Sequence, residues 1–313
     1  MPPETRYDAE ASDRTDRGEG MNANDAARDK WNKACQHVGN EMAAHAEPFV
    51  ASISLEVSVD EGRVVGTGTY VSLRGKPYLL TNEHVARFRL QGSLGHLLKK
   101  NEFTYRIIHP FQCLSWPTDA AIGRIDEEHF GQGDRRAVPT GRIAQTYRTA
   151  HHELLFIMGF PKKRSRMIAL LGGLISGAIP YVTQEMPTPS GLDTRFFFAI
   201  HYPNDVRLLR CDDTRDYLPD PDGLSGSAVW DTSFVAKQGQ GWQPDDARIV
   251  GLVYGWDQAN HALRCVKIEP VRDFLVQALR NEAAYFRWLE AGRPAGSDRT
   301  DWSWAVEAIK DIG

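Results

Sequence analysis

No stretch of this sequence approaches the roughly 18 consecutive apolar residues that a membrane-spanning helix needs. There is no excess of positive charge either: 37 Lys and Arg stand against 41 Asp and Glu, a formal net charge of −4. That balance excludes the basic footprint of a nucleic-acid binder. Cysteine is scarce, at four in 313 residues. Cys35, Cys113, Cys211 and Cys265 lie far apart, so the close spacings of zinc and redox motifs are missing. Residues 1–30 lack the apolar core of a secretory signal. The expectation is a cytoplasmic protein with free thiols, no membrane association and no nucleic-acid partner.

What the chain does have is turn chemistry and short apolar runs, with 27 glycines and 17 prolines. Residues 1–23 are polar and charged and read as a disordered segment. Residues 24–48 read as a helix, capped by Asn24-Asp25, striped by Trp31, Cys35, Val38 and Met42, and closed by Pro48. From Phe49 the period shortens to two. Val50–Val59, Val64–Leu73 and Pro77–Leu80 read as strands joined by the turns Asp60–Gly62 and Arg74–Lys76. Further strands are expected around Phe103–Ile108, Ala120–Ile125, Leu154–Met158, Ile168–Ile179, Arg195–His201, Ala228–Trp230, Ile249–Tyr254 and Leu263–Ile268. That spacing suits barrels or sandwiches. Pro270 sits in the first turn of a C-terminal helix with Val271, Phe274, Leu275, Ala278 and Leu279 on its apolar face, reaching to Trp288.

Three segments carry chemistry. In Leu79-Leu-Thr-Asn-Glu-His-Val85 a strand delivers His84 at its end. In Thr118-Asp-Ala-Ala-Ile-Gly-Arg-Ile125 an aspartate, Asp119, precedes a buried strand. In Asp222-Gly-Leu-Ser-Gly-Ser-Ala-Val-Trp230 a serine, Ser225, sits in a glycine-flanked turn. A serine hydroxyl attacks a carbonyl only if a base takes its proton, and an imidazole does so at neutral pH. A carboxylate fixes the ring's tautomer and stabilises the imidazolium. Glycines allow a tight turn whose N–H groups, here those of Gly223 and Ser225, face the developing oxyanion. Taken singly, His84 reads as well as a satisfied strand-end histidine and Ser225 as an ordinary turn serine. Asp119 reads as well as a strand-start cap, with Asp126, Asp205 and Asp212 as rival carboxylates. The order His, Asp, Ser separates this constellation from subtilisins and α/β-hydrolases.

Gly66-Thr-Gly68, the three segments above, Gly159-Phe-Pro161 and Val250-Gly-Leu-Val-Tyr-Gly255, in this order, resemble the trypsin-like serine peptidases. The likeness is to the bacterial branch that includes the glutamyl endopeptidases and the protease domain of HtrA-type enzymes. It covers residues 49–277, leaving 278–313 as a helical extension. The resemblance implies a mainly β fold of two six-stranded antiparallel barrels, with added N-terminal and C-terminal helices. His84 and Asp119 would come from the first barrel and Ser225 from the second. It also implies an endopeptidase working through an acyl-enzyme, with no metal and no cofactor. Leu224 departs from the pattern of secreted digestive enzymes, which place an aspartate before the nucleophile.

The resemblance makes Tyr254, Gly255 and Trp256 the edge on which an extended peptide pairs. Residues 217–223 and 254–256 would wall the first specificity pocket. Asp220 and Asp222, with Asp212, Asp213 and Asp216, could make that pocket acidic for Arg or Lys, although a solvated loop is favoured. His151-His152 is a weak metal candidate, because adjacent residues on a strand face opposite ways. Lys162-Lys163-Arg164 reads as a solvated basic patch. The partners expected are a protein or peptide substrate and a gating regulatory protein. The alternative is a protease-fold protein that binds a partner without cutting; a weaker one is an esterase.

Overall fold

The alternation that begins at Val50 becomes strand after strand in the computed structural model, which describes residues 23–58, 61–98, 104–168, 173–203, 207–209 and 215–290. The order begins with α1 (Ala23–Ala46), β1 (Val50–Ser58), β2 (Glu61–Leu73), β3 (Lys76–Thr81), α2 (Glu83–Ala86), β4 (Ser93–Leu97), β5 (Thr104–Arg106), β6 (Phe111–Leu114) and β7 (Ala120–Arg124). It goes on with α3 (Glu127–Gln132), β8 (Val138–Pro139), β9 (Leu155–Gly159), β10 (Ser165–Ile168), β11 (Gly173–Ser176), β12 (Ile179–Thr183), β13 (Glu185–Met186) and β14 (Phe197–His201). It ends with β15 (Arg207–Leu209), β16 (Arg215–Tyr217), β17 (Ala228–Asp231), β18 (Arg248–Asp257), β19 (Ala262–Lys267) and α4 (Ile268–Glu290). No helix among the described residues is long and apolar enough to cross a membrane. The expected disordered segment falls almost wholly outside the described residues. Cys35, Cys113 and Cys265 are free thiols; Cys211 lies outside the described residues.

The fold is mainly β, with two antiparallel sheets and helices at both ends. The first sheet runs β5-β4-β1-β2-β3-β7-β6, with β8 laid parallel on β2. Its end strands belong to one bent run: β5 pairs with β4, and β6, starting at Phe111, pairs with β7. Ile107 between them still donates to Leu94 O at 2.8 Å. The second sheet runs β12-β9-β17-β18-β19-β14-β13. There the run from Ile179 to Met186 pairs first with β9 and then with β14, bending at Gln184, whose carbonyl accepts from His201 N. In each sheet the hydrogen bonding therefore returns on itself through six runs of chain, which removes free edges.

Side-chain alternation explains why two barrels form and then pack. Ala51, Ile53 and Leu55 of β1, Tyr70 of β2 and Leu79 of β3 fill one interior with Val85 and Leu94. Leu155, Ile157, Phe198, Ile200, Val229, Val250 and Leu263 fill the other. The opposite faces are also apolar where something covers them. Val71, Leu73, Leu80, Phe156, Trp230 and Ile249 form a third cluster with Val38 and Met42 of α1 and Val271, Phe274 and Leu275 of α4. The terminal helices thus seal the outside of the barrels. Arg142 fastens α1 electrostatically: it donates to His45 Nε2 at 2.5 Å and Pro244 O at 2.6 Å, and lies over Trp230. Burial and this guanidinium hold His45 below the usual imidazole range, so its ring stays neutral and accepts.

Two expectations need correction. Ile168–Ile179 is not one strand; β10 and β11 pair as a hairpin, Ser165 opposite Ser176, and β12 starts afresh at Ile179. Gly172-Gly173 and Gly177 punctuate that apolar run. His151 and His152 lie in a turn, not a strand, with ring centroids 3.7 Å apart and φ 59° at His152.

Asp231 ends β17 in a costly place. Burial, helped by nearby Glu153, pushes its carboxyl up to about 6, although Ser233 N–H donates to it at 2.7 Å. An acid whose folded pKa is raised binds more protons folded than unfolded between the two pKa values. Stability therefore falls as pH rises from about 4 to 6, and the full penalty remains above that. Asp231→Asn keeps an oxygen for Ser233 and removes the buried charge. It should raise stability at pH 7–8 by up to about 3 kcal/mol and change little near pH 4. Urea melts across that range would refute this if the gain were the same at both ends.

Candidate active site

His84 and Asp119 are brought together by two neighbouring strands of the first barrel. β3 ends at Thr81, Asn82 turns the chain, and the single turn α2 presents His84. β7, paired with β3, is preceded by Asp119 at φ 43°, a left-handed conformation that aspartate tolerates better than most residues. Asn82 Nδ2 fixes this loop by donating to Asp119 O at 2.8 Å. The carboxylate then spans two donors. Oδ2 lies 2.7 Å from His84 Nδ1, and Oδ1 accepts from His84 N at 3.0 Å. With Nδ1–H donating to the carboxylate, Nε2 carries the free lone pair that a base requires. Asp119 is nearly enclosed, its side chain 11% exposed, while His84 is 42% exposed and open to a reactant.

Ser225 comes from the second barrel, in the turn that leads into β17. Gly66 marks the closeness of the parts: a Cβ there would lie 2.6 Å from Val85 and 3.2 Å from Ser225 O. The turn's carbonyls are all engaged. Asp222 O accepts from Lys162 N at 2.7 Å, Gly223 O from Thr67 Oγ1 at 2.8 Å, Leu224 O from Ser227 N at 3.0 Å and Ser225 O from Thr67 N at 2.8 Å. Leu224 N donates to Pro221 O and Gly226 N to Val253 O. Gly223 N–H and Ser225 N–H have no hydrogen-bond acceptor among the described residues. In a trans peptide the C=O and the following N–H point opposite ways. Holding Asp222 O and Leu224 O therefore turns both free N–H groups away from those two contacts. Gly223 adopts φ +102° and Gly226 φ +88°, conformations that strain residues with a Cβ. Leu224 is fully buried in the second barrel's interior.

Around these residues lie aromatics. Tyr254 bulges out of the β18–β19 register, next to Gly255, where an added Cβ would meet nothing within 4 Å. Phe197 packs against Tyr254 at 5.2 Å, and the exposed Trp116, three residues before Asp119, stacks on Phe197 at 4.9 Å. Burial pushes the Tyr254 phenol up to about 12. Trp256 is half-buried against the second interior. Asp220 and Asp222 carry lysine partners: Lys163 Nζ pairs with Asp220, and Lys162 Nζ lies 2.9 Å from both carboxylate oxygens of Asp222. Asp220 and Asp222 are thus neutralised by Lys163 and Lys162, as in a solvated loop. Asp205, Asp212 and Asp213 lie outside the described residues.

Sequence reasoning did not single out Asn82, Thr67, Trp116 or Phe197. Asn82 and Thr67 stood inside quoted motifs, but their partners are 37 and 156 residues away. Among the described residues no cluster of His, Cys, Asp or Glu could hold a metal ion.

Comparison with known families matches residues 281–311 to DUF2934, a protein of unknown function, and no curated protein matches the sequence. Similar solved structures include the serine protease domain of the Sesbania mosaic virus polyprotein, at 13% identity and TM-score 0.41, covering 71% of this chain and 88% of that one. The Rv3671c protease of M. tuberculosis in its active form is 16% identical, with TM-score 0.40 over 74% and 81% of the two chains. The tobacco etch virus protease complexed with product is 13% identical, with TM-score 0.37 over 71% and 75%. Likenesses this distant transfer no chemistry.

Proposed function

We propose that this chain is a serine endopeptidase that cleaves extended protein segments through an acyl-enzyme. The observation that carries the reading is a carboxylate-oriented imidazole in one barrel and, in the other, a serine turn tied to the first barrel through Thr67. His84 Nδ1 lies 2.7 Å from Asp119, and the turn keeps two N–H groups unspent. Ser225 Oγ attacks the substrate carbonyl while His84 Nε2 takes its proton. Asp119 stabilises the imidazolium, and Gly223 N–H and Ser225 N–H receive the oxyanion. His84 then protonates the leaving amine, and water repeats the sequence on the ester. The substrate backbone pairs along Tyr254–Trp256 by strand addition, with the Trp116, Phe197 and Tyr254 rings offering an apolar wall. Residues 217–223 wall the first specificity pocket, with Asp220 and Asp222 at its mouth. A cytoplasmic setting and a gating protein partner belong to the same proposal; both rest on the sequence alone.

The test is labelling with a fluorophosphonate, which esterifies activated serines. The wild-type chain should label, Ser225→Ala should not, and His84→Ala should label at least about a hundredfold more slowly. Labelling that survives Ser225→Ala would move the nucleophile elsewhere. An unlabelled wild type would favour the partner-binding protein.

A further inference from the structure

Thr67 belongs to the first barrel, yet its polar atoms are spent largely on the second. It lies in β2 between Gly66 and Gly68 and is fully buried. Its N–H donates to Ser225 O at 2.8 Å. Its hydroxyl accepts from Phe160 N at 2.9 Å and donates to Gly223 O at 2.8 Å. Its carbonyl accepts from Thr81 Oγ1 at 2.8 Å, three residues before His84 on the strand that delivers it. A hydroxyl has one proton. With Phe160 N–H already directed at its oxygen, that proton goes to Gly223 O, so the direction of the network is set. The contact is close enough to dictate the neighbouring residue: a Cβ on Gly226 would lie 2.1 Å from Thr67 O and 2.3 Å from Thr81 Oγ1.

We propose that the Thr67 hydroxyl is a positioning group for acyl transfer, locking the Gly223–Leu224 peptide so that the oxyanion donors stay aimed and tying that turn to the strand that carries the base. The proposal rests on the acyl-transfer reading of Ser225. The Gly223–Leu224 peptide has its N–H on Pro221 O and its C=O on Thr67. Removing the hydroxyl frees one side of this peptide and leaves Phe160 N–H buried without an acceptor. The peptide can then rotate toward a replacement partner, and the two flanking peptides, Asp222–Gly223 and Leu224–Ser225, which carry the donor N–H groups, lose the fixed link between them. Substrate contacts do not involve Thr67, so the loss should fall on the chemical step.

Thr67→Ser and Thr67→Ala lose the same methyl group and differ only by the hydroxyl. Fluorophosphonate labelling is measured over a range of probe concentrations, to separate the limiting rate from the concentration at half-saturation, with thermal melts as a check on folding. Thr67→Ser should keep the limiting rate within about threefold of wild type. Thr67→Ala should lose roughly a hundredfold, the scale of one misplaced oxyanion donor, at an unchanged half-saturation concentration. Thr67→Cys, a weaker donor, should fall between them, and this ranking decides the matter if Thr67→Ala does not fold. Equal limiting rates for the Ser and Ala variants, for the Ser and Cys variants if Ala is unfolded, or a change confined to half-saturation, would overturn the role of Thr67 while leaving Ser225 as nucleophile. A wild type that never labels would overturn the acyl-transfer reading and this proposal with it.

Discussion

Asp119→Asn should slow acylation of Ser225 by about 10⁴-fold while leaving the barrels folded. The backbone gives no reason for unfolding: asparagine tolerates the left-handed φ of 43° as aspartate does, and Asn82 holds the carbonyl of residue 119, not its side chain. The electrostatics give every reason for inactivity. The carboxylate offers one oxygen to His84 N and the other to His84 Nδ1. An amide has one oxygen and one NH₂. If the oxygen stays on the backbone N–H, the NH₂ faces Nδ1 and selects the tautomer with hydrogen on Nε2, which cannot take a proton from serine. If the amide flips, the NH₂ opposes a backbone N–H, and the turn presenting His84 loses an acceptor. Neither arrangement stabilises an imidazolium. Single-turnover labelling of Asp119→Asn, with a melt showing native-like stability, tests this; a loss below about tenfold would mean that the base is oriented by something else.

The three catalytic candidates were legible because each stands at a strand end beside its own punctuation. Thr81-Asn82 precedes His84, Pro117-Thr118 precedes Asp119, and glycines bracket Ser225. Strands whose two faces meet different cores were legible too: β9 and β18 are nearly continuous apolar runs because one barrel interior takes Leu155 and Ile157 while the outer cluster takes Phe156 and Met158. What escaped was whatever depends on a distant partner. β4 carries Gly95, which reads as a breaker, but β1 and β5 flank it so closely that a Cβ there would lie 2.2 Å from Thr104. β6 and β13 are too short to show a period and are strands only because β7 and β14 supply partners. The acidic loop could not be weighed from its own composition, since Lys162 and Lys163 arrive from about 60 residues upstream. Nor could the conformation of the turn around Ser225 be read, because Lys162 N and Thr67 hold it from elsewhere in the chain.

That turn makes Gly223 the other position where a small change should have a large effect. Two separate obstacles meet there. The first is conformational: φ +102° is open to glycine and costs a residue with a Cβ about 1–3 kcal/mol. The second is spatial: an added Cβ would lie 2.5 Å from Phe160 O and 3.0 Å from Lys162 N, both backbone atoms that cannot swing aside. Rotating the Asp222–Gly223 peptide would relieve both at once. It would also break the bond from Lys162 N to Asp222 O and turn Gly223 N–H away from the oxyanion. Gly223→Ala should therefore cut the labelling rate of Ser225 by about 10²–10³-fold, beyond any loss of stability. Gly75→Ala is the control. Gly75 also has positive φ, +76°, but nothing lies within 4 Å of an added Cβ and the hairpin between β2 and β3 is remote from the carbonyls that aim the donors. It should lose about 1 kcal/mol of stability and no labelling rate. If Gly223→Ala labels as fast as Gly75→Ala, the N–H of residue 223 does not serve the oxyanion, and stabilisation must come from donors outside this turn.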